Sequence, residues 1–598
     1  MEQQDQRNFI IFMIVAVTVL LGYQALVLEP EAKRRQAIQE QARVEREAQA
    51  EIAPLAVEPA ATVEEALERD QRVVFDSPKL DGSIRLQGAL IDDLNLKEHF
   101  ETVNRENEVR LFRPEAVDHG YYASWFWIGE QNRPVANLGV TWELVGGGTL
   151  TPATPVTLRY EGGGIRIDRQ ISIDENYLFT FSDTLTNLGS EPRYLRPYGA
   201  ILRHGEWKDF IDAVTPKASQ DRGLVHLGEV GIMDGKLVKR GYAKLEDGNG
   251  ITETSNEGGW IGLTDKYWLS ALVPDQSQEF QTSFERRSRV DDAVMEVRTI
   301  GTELVLPAGA SVTSVNQLFA GAKTIDVVRA YETDLGLPRF VDAIDWGMFY
   351  FLTKPFFFAL LWLREAIGSF GLAILAFTVL VKLVLFPLYN RSYAAMAKMK
   401  KLQEPMKEIQ ERFAADPQRK QQEIMKLYRD EKANPVAGCL PILMTMPIFF
   451  ALYKLLFVTI EMRHESFLWL NDLSAPDPTA IGNLFGLLPW AAESVKSVPL
   501  LGIIIGIGIL PILYGVTMFA LQSLSTPPPD PIQRRIIMML PLVFMFVFGG
   551  LAGGLVMYWV WNNILSIGQQ YIIMRRNGVE TEFDKFISRR FGSAKGSA

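Results

Sequence analysis

Cysteine is almost absent from this sequence, since its 598 residues include only Cys439. A single thiol excludes a disulfide within the chain and a zinc site built from several thiolates. Histidine is scarce too, and its five positions show neither HxxxH nor HExxH spacing. Because a helical metal site needs such spacing, we expect no metal and no cofactor. The histidines are His99, His119, His204, His226 and His464.

Catalytic motifs are also missing. The chain has no GxSxG nucleophile turn and no phosphate-binding P-loop, and its acidic residues lie mainly in turns. We therefore expect a protein that is not an enzyme. The net charge is −10, and most of it lies in residues 29–340. This balance does not favour a specific nucleic-acid sequence as a ligand.

Long apolar runs, by contrast, are frequent, and residues 341–573 are dominated by Phe, Leu, Ile, Met and Gly. Residues 1–28 contain a run long enough to span a bilayer, without a small-residue cleavage site, which predicts an uncleaved anchor. The glycine-rich GGLAGG (Gly549–Gly554) favours a tight reversal within 536–573. Six spans are predicted in total. The later five are residues 369–388, 437–460, 500–521 and two within 536–573.

The distribution of Lys and Arg predicts the orientation of these spans. The loop 389–434 carries eleven Lys/Arg against seven Asp/Glu, whereas the loop 461–499 carries only two basic residues. The positive-inside rule places the first loop, the loop 522–535 and the basic tail 574–598 in the cytoplasm, with both chain termini. Basic residues just after the first span point the other way, but the later loops outweigh them. The loop 461–499 is predicted to lie outside.

The large external region has two parts. Residues 29–70 are rich in Ala, Glu, Gln and Arg without an apolar face, which predicts a charged tether. Residues 71–340 contain short alternating runs such as SIRLQGALI, separated by Gly, Asn, Asp and Pro. Alternation of this kind predicts an all-β sandwich that serves as a scaffold or docking domain. Residues 341–368 mix aromatic, apolar and charged side chains, which predicts an amphipathic helix in the membrane interface.

The cytoplasmic loop 389–434 is predicted to be a helical hairpin. Its composition is strongly helical, and AADP (Ala414–Pro417) divides it into two arms. Several methionines fall on one face of the first arm. They either pack the two arms together or form an adaptable surface for apolar partners. This face comprises Met396, Met399, Leu402, Met406 and Ile409.

A lysine lies in the middle of the second predicted span. Lys382 would cost roughly 2.5–3.5 kcal/mol in the bilayer interior, and the spans contain no Asp or Glu to pair with it. Thr378, four residues earlier, shares its helix face. Either the lysine extends along the helix to the interface, or hydroxyls, amides and water surround it in a hydrated cavity that attracts an acidic or polar segment of another chain. The spans offer Thr445, Thr517, Asn562, Asn563, Ser566, Gln569 and Gln570.

The chain resembles the YidC/Oxa family of membrane protein insertases, and the similar stretches are spread over nearly its whole length. The closest matches are FPLYNRSYAAMAKMKKLQEP (386–405), NPVAGCLPILMTMPIFFALY (434–453) and GLVMYWVWNNILSIGQQ (554–570). GGWIGLTDKYW in the external region and DPIQRRIIMMLP before the last spans are similar to family text as well.

The resemblance implies a polytopic α-helical membrane protein with a five-helix insertase core around a hydrophilic groove, and a large periplasmic all-β sandwich domain. Lys382 matches the positive residue of the groove, which many bacterial members have as arginine. Thr378 matches a groove threonine, and Thr445 falls where some members have glutamine. Tyr558 and Trp559 match an aromatic pair that meets the incoming helix.

The same resemblance implies a protein of the Gram-negative inner membrane that inserts and helps to fold newly made membrane proteins. The implied partners are nascent membrane proteins, the ribosome, the Sec translocon with its accessory subunits, and membrane lipids. The alternative is a transporter or channel with Lys382 as a counter-ion for its substrate. Against it, the two halves of the chain show no internal repeat.

Overall fold

A computed structural model of the chain describes residues 58–581 and residue 584, with several internal gaps. The predicted anchor 1–28, most of the tether and residues 582–583 and 585–598 of the basic tail lie outside the described residues. Two compact units divide between Ile344 and Asp345. The gaps are 131–132, 137, 216–223, 246–250, 289–292, 415, 432–439, 491, 500 and 526–530, and the side chains of 288, 440–445, 493 and 531 are not described either.

The first unit consists of two large antiparallel sheets. The first sheet has the order β1-β2-β3-β5-β10-β17-β16-β13, with β4 beside β3 and β18 beside β10. Its strands are β1 (Arg72–Asp76), β2 (Leu80–Arg85), β3 (Leu90–Phe100), β4 (Glu108–Phe112), β5 (Tyr121–Ile128), β10 (Arg193–His204), β13 (Ile251–Ser255), β16 (Phe280–Ser288), β17 (Ala293–Gly301) and β18 (Leu304–Leu306).

The second sheet has the order β12-β11-β14-β15-β19-β9-β8-β7-β6. Its strands are β6 (Glu143–Gly146), β7 (Val156–Gly162), β8 (Ile165–Ile173), β9 (Leu178–Asn187), β11 (Gly228–Met233), β12 (Lys236–Gly241), β14 (Gly259–Thr264), β15 (Trp268–Val273) and β19 (Ser311–Ala322). The described α-helices beside the sheets are α1 (Val63–Glu68), α2 (Trp207–Val214) and α3 (Ile325–Asp334). The predicted all-β sandwich is confirmed.

Side chains from both sheets meet in the core of this unit. In β8, IRIDRQISI, the isoleucines are buried and most of the residues between them are not, as period-2 alternation requires. Phe75 of β1 packs edge-on against Phe179 of β9, with 5.2 Å between the ring centroids. The two sheets therefore share one apolar interior.

A buried ion pair also joins the two sheets. The Arg169 guanidinium donates to both carboxylate oxygens of Asp183, at 2.8 and 2.7 Å. It donates to the Trp125 carbonyl at 2.6 Å as well, and the Trp127 indole donates to Asp183 at 2.7 Å. Arg169 and Asp183 lie on β8 and β9, whereas both tryptophans lie on β5 of the other sheet. Each charge is thus paired and hydrogen-bonded, which offsets its removal from water.

The second unit is helical. Its helices are α4 (Tyr350–Ile367), α5 (Phe370–Val384), α6 (Phe386–Lys401), α7 (Gln403–Arg412), α8 (Pro417–Asp430), α9 (Leu440–Val458), α10 (Ala492–Lys496), α11 (Gly502–Ile505), α12 (Ile509–Leu524), α13 (Pro531–Phe548) and α14 (Gly553–Arg576). The arms of the predicted hairpin are separated between α7 and α8, and Pro417 begins the second arm as a first helical residue.

Two predicted segments differ from the helices observed. The second span was predicted as residues 369–388 with its end at Pro387, but α5 already ends at Val384 and α6 begins at Phe386, with a bend of 68° between them. Pro387 lacks an amide hydrogen and its ring clashes with the preceding turn, which explains the bend. The segment 500–521 is also divided, because α12 begins only at Ile509, after the short helix α11 and the glycines of GIG (506–508).

Within the described part of the chain, no single helix is both long enough and apolar enough to cross a bilayer. Helices α5 and α6 meet those criteria only as a bent pair.

The loop 461–499 covers one end of three helices. Gly553 and Gly554, at the start of α14, donate their amides to the carbonyls of Ala475 and Leu473 at 2.7 and 2.9 Å. The ring of Phe467 lies so close to Gly371 of α5 that a Cβ there would be 2.1 Å from it. At the start of α12, Asp477 accepts a hydrogen bond from the Leu510 amide at 2.7 Å. The loop therefore holds α5, α12 and α14 together at this end.

Candidate functional site

A cavity of about 500 Å³ lies within the helical unit, between α5, α6, α9, α12, α13 and α14. We call it the Lys382 cavity. Among the described residues that line it, none is acidic and Lys382 is the only basic one. The lining residues are Lys382, Tyr389, Tyr393, Met396, Met446, Phe449, Tyr514, Met518, Leu521, Gln522, Ser525, Phe544, Phe548, Trp559, Asn562, Asn563, Ser566 and Gln570.

The Lys382 ammonium contacts two neutral groups. Its Nζ donates to the Ser566 hydroxyl at 2.6 Å. It also lies 4.5 Å from the centroid of the Tyr389 ring, at a distance typical of a cation–π contact. Neither group carries a negative charge, so neither cancels the charge of the ammonium. The field of the lysine therefore extends into a cavity with low-dielectric walls, where it acts more strongly than in bulk water.

One face of α14 supplies a polar stripe along the cavity. Trp559, Asn562, Asn563, Ser566 and Gln570 follow one another at spacings of three, one, three and four residues. Such spacings place side chains on one side of a helix, which is why a single helix can line the whole length of the wall. Asn563 extends this wall to α12 by donating to the Thr517 hydroxyl at 3.2 Å.

Aromatic rings close one end of the stripe. The Trp559 ring lies 4.9 Å from Phe449 of α9 and 6.1 Å from Phe548 of α13, measured between centroids. Tyr514 of α12 stacks on Phe548 at 4.1 Å with an interplanar angle of 9°. These rings form an apolar surface directly beside the amides of α14. The cavity thus has an aromatic end and a polar end.

Helix α6 forms the wall at the polar end. Tyr389 and Tyr393 are one turn apart and stack with 5.9 Å between their ring centroids. Met396 follows on the same face. Lys400, at the end of α6, donates to the Leu524 carbonyl of α12 at 3.5 Å. Because of the bend before Pro387, these residues turn back towards the lysine instead of continuing the direction of α5.

The structure brings four of the eight predicted site residues together at the cavity: Lys382, Trp559, Asn562 and Asn563. Thr517 borders it through its hydrogen bond with Asn563. Two others, Thr378 and Tyr558, do not line it. Thr378 is buried and donates its hydroxyl to the Ile374 carbonyl at 2.7 Å. Tyr558 is buried beside Trp559, and the side chain of Thr445 is outside the described residues.

Ser566 and Gln570 are among the polar side chains that the sequence analysis offers as neighbours of Lys382, and both line the cavity at the helical spacing that begins at Asn562. Other lining residues were not predicted. Tyr389 and Tyr393 gave no signal for the cavity, because the sequence assigned them to the cytoplasmic hairpin. Their place in the cavity depends on the bend between α5 and α6.

Comparisons with known proteins match both units. A family model described as "60Kd inner membrane protein" matches residues 362–580, and one described as "YidC periplasmic domain" matches residues 72–359. The membrane protein insertase YidC of Maricaulis maris is 45% identical over 597 residues, which cover 98% of each chain. That of Caulobacter vibrioides is 40% identical over 629 residues, which cover 100% of each chain.

Among solved structures, the chain is similar to the crystal structure of YidC from Thermotoga maritima. The match has 16% sequence identity and a TM-score of 0.29, and it covers 83% of this chain and 99% of that one.

Proposed function

This chain belongs to the YidC family of membrane protein insertases, and on that premise we propose that the Lys382 cavity is the groove through which it inserts its substrates. The chain is a bacterial inner-membrane insertase with a periplasmic domain, and it acts on newly made membrane proteins. The proposal concerns how it does so and which residues are involved.

The observation that carries the proposal is the uncompensated charge of the cavity. Among the described residues, Lys382 contacts a hydroxyl and an aromatic ring, and no acidic residue lines the described part of the cavity. A carboxylate or polar group of an incoming segment gains favourable interactions there that hydrocarbon does not offer. The lysine therefore draws an acidic external tail into the membrane without carrying it all the way across. No covalent step and no nucleotide are needed.

The aromatic end of the cavity then contacts the apolar part of the substrate. Trp559, Phe449 and Phe548 form a continuous aromatic surface along which a hydrophobic helix can slide. Transfer of that helix into lipid supplies the main driving force, since burial of apolar surface is favourable. The membrane potential adds about 2.3 kcal/mol per charge per 100 mV and helps an acidic tail to move outward.

We propose six membrane spans, with both termini and the loop 389–434 in the cytoplasm and the sandwich 71–340 in the periplasm. The spans are those predicted from the apolar runs, with the second bent at Leu385. The excess of basic residues in 389–434 supports this orientation. The helical hairpin 389–434 then lies where a ribosome or the Sec translocon could deliver a nascent chain.

The experiment that tests this function is complementation of insertase-depleted cells with Lys382→Ala, Lys382→Arg and Lys382→Glu. Two versions of one substrate should be compared, one with an acidic and one with a neutral external tail. We expect Ala and Glu to lower the ratio of acidic-tail to neutral-tail insertion by about tenfold, a factor equivalent to 1.4 kcal/mol. Arg should preserve the ratio, because it keeps the charge.

A matched control is Lys398→Ala, which removes an exposed lysine of α6 that does not line the cavity. It should leave the ratio at the wild-type value. Equal insertion of both substrates by all three Lys382 variants would contradict the proposal, because the charge would then have no role in selecting the tail.

A further inference from the structure

The Ser566 hydroxyl both donates and accepts a hydrogen bond. The hydroxyl donates its only proton to the Asn562 carbonyl at 2.7 Å, one helical turn earlier. Because that proton is committed, the oxygen can only accept from Lys382, and it does so at 2.6 Å. Ser566 is buried, with 4% of its surface exposed. The serine is thus a fixed acceptor on a rigid helix.

The fixed acceptor determines where the charge lies. A lysine side chain has a flexible stem with many rotamers, so without contacts its ammonium would occupy many positions. The serine on one side and the Tyr389 ring on the other restrict the ammonium to one of them. An ammonium has three N–H donors, of which the serine takes one. Among the described residues, no other acceptor is bound to this ammonium, so its other donors can bind a group that enters the cavity.

We propose that Ser566 is a positioning residue for the insertion of acidic segments. It holds the Lys382 ammonium at the cavity wall without neutralising it, in an orientation from which its remaining donors bind a carboxylate of the substrate. This inference rests on the proposed function of the Lys382 cavity. An arginine in place of Lys382 would depend less on the serine, because a planar guanidinium with five donors is itself preorganised.

The first test compares Ser566→Ala with Ser566→Thr in full-length protein, using the acidic-tail and neutral-tail substrates. Ser566→Ala removes the acceptor, and we expect the acidic-to-neutral insertion ratio to fall about fivefold to tenfold, as for the net loss of one ordinary hydrogen bond. Ser566→Thr keeps the hydroxyl and should restore the ratio. A loss of folding alone would lower insertion of both substrates together and leave the ratio unchanged, which would contradict the inference.

The matched control is Ser523→Ala. Ser523 also donates its hydroxyl to a carbonyl of its own helix, that of Ala520 at 2.7 Å, but it is exposed and does not line the cavity. The two substitutions therefore remove the same chemical group from a helix. A fall in the ratio for Ser523→Ala as large as that for Ser566→Ala would overturn the assignment.

The second test repeats Ser566→Ala in a Lys382→Ala background. If the serine acts through the lysine, the double variant should have the same ratio as Lys382→Ala alone. A further independent fall would contradict positioning. If Lys382→Ala itself leaves the ratio unchanged, the proposed function fails. If Lys382→Ala lowers the ratio but Ser566→Ala does not, only the positioning role fails.

Discussion

At the scale of single residues, the same chain treats buried charges in two ways. In the sandwich, Arg169 is paired with Asp183 and fully satisfied, which makes it a structural element. In the helical unit, Lys382 has contacts with neutral groups and keeps its charge uncompensated. In a buried ion pair the two charges balance each other, so the pair does not attract a charged ligand. A cation that contacts only neutral described groups keeps its net charge and can attract an anion. This difference distinguishes the Lys382 cavity from the ion pair of the sandwich.

A buried carboxyl in the sandwich makes the free energy of unfolding depend on pH. Glu229 of β11 is fully buried, and burial raises the pKa of its carboxyl from 4.5 to about 7, although Arg240 on the neighbouring strand opposes the shift. The folded state therefore binds a proton more tightly than the unfolded state does. The contribution of this carboxyl to the free energy of unfolding is fully present below about pH 4.5. It is lost as the pH rises through about 7.

We predict that Glu229→Gln removes this dependence. The free energy of unfolding of the wild type should fall relative to the variant between pH 5 and pH 8, by an amount on the order of 3 kcal/mol. Thermal unfolding of both proteins across this range measures it. Glu253→Gln is the control, because Glu253 binds the same arginine with 38% of its side chain exposed. A constant difference between wild type and Glu229→Gln at all pH values would refute the prediction.

At the scale of elements, the start of α12 depends on a distant part of the chain. Gly508 has no side chain to cap the helix, and Asp477 and Thr479 take over this role. The Leu510 amide donates to Asp477 at 2.7 Å and the Ile509 amide donates to the Thr479 hydroxyl at 2.9 Å. Asp477 also accepts from the Thr479 hydroxyl at 2.6 Å. The loop thereby fixes the entry of a helix that lines the cavity.

We predict that Asp477→Ala destabilises this end of the helical unit by about 1–2 kcal/mol, as for loss of a helix N-cap. Hydrogen exchange at the Leu510 amide should become faster, and the apparent unfolding temperature should fall. Asp472→Ala is a matched control, since Asp472 makes a similar turn with Ser474 at a point where no helix begins. Unchanged exchange at Leu510 in Asp477→Ala would show that the cap is dispensable.

The elements also show what the sequence could and could not predict. The apolar runs and turn residues indicated the helices, the break at Ala414–Pro417 and the all-β sandwich, because each depends on local pattern. The second span was predicted to end at Pro387, a residue type that interrupts helices, but the bend of 68° between α5 and α6 was not predicted. The late start of α12 at Ile509 was missed because it depends on capping by residues about thirty positions away.

Local sequence pattern also made part of the cavity predictable. A lysine in an apolar run and the asparagines of α14 are visible in the sequence, so half of the predicted site residues do line the cavity. Thr378 was expected beside Lys382 on helix spacing alone, but its hydroxyl bonds within its own helix instead. Spacing tells which residues share a face. It does not tell which neighbouring helix that face meets.

At the scale of the whole molecule, the chain divides into two compact units. The sandwich has its own apolar interior and its own buried ion pair. Every described residue that lines the Lys382 cavity belongs to the helical unit. Family models match the two units separately, and relatives match the chain over its whole length. We therefore propose that the helical unit alone selects the tail.

The most direct test of whether Lys382 selects the substrate tail is to change the sign of the charge both in the cavity and in the tail. Wild-type protein and Lys382→Glu should each be given one substrate with an acidic tail and one with a basic tail. The membrane potential acts equally on both proteins, so it cancels when their acidic-to-basic insertion ratios are divided. We predict that Lys382→Glu lowers this ratio at least about tenfold, which corresponds to 1.4 kcal/mol. Identical ratios in the two proteins would contradict the claim that Lys382 selects the tail.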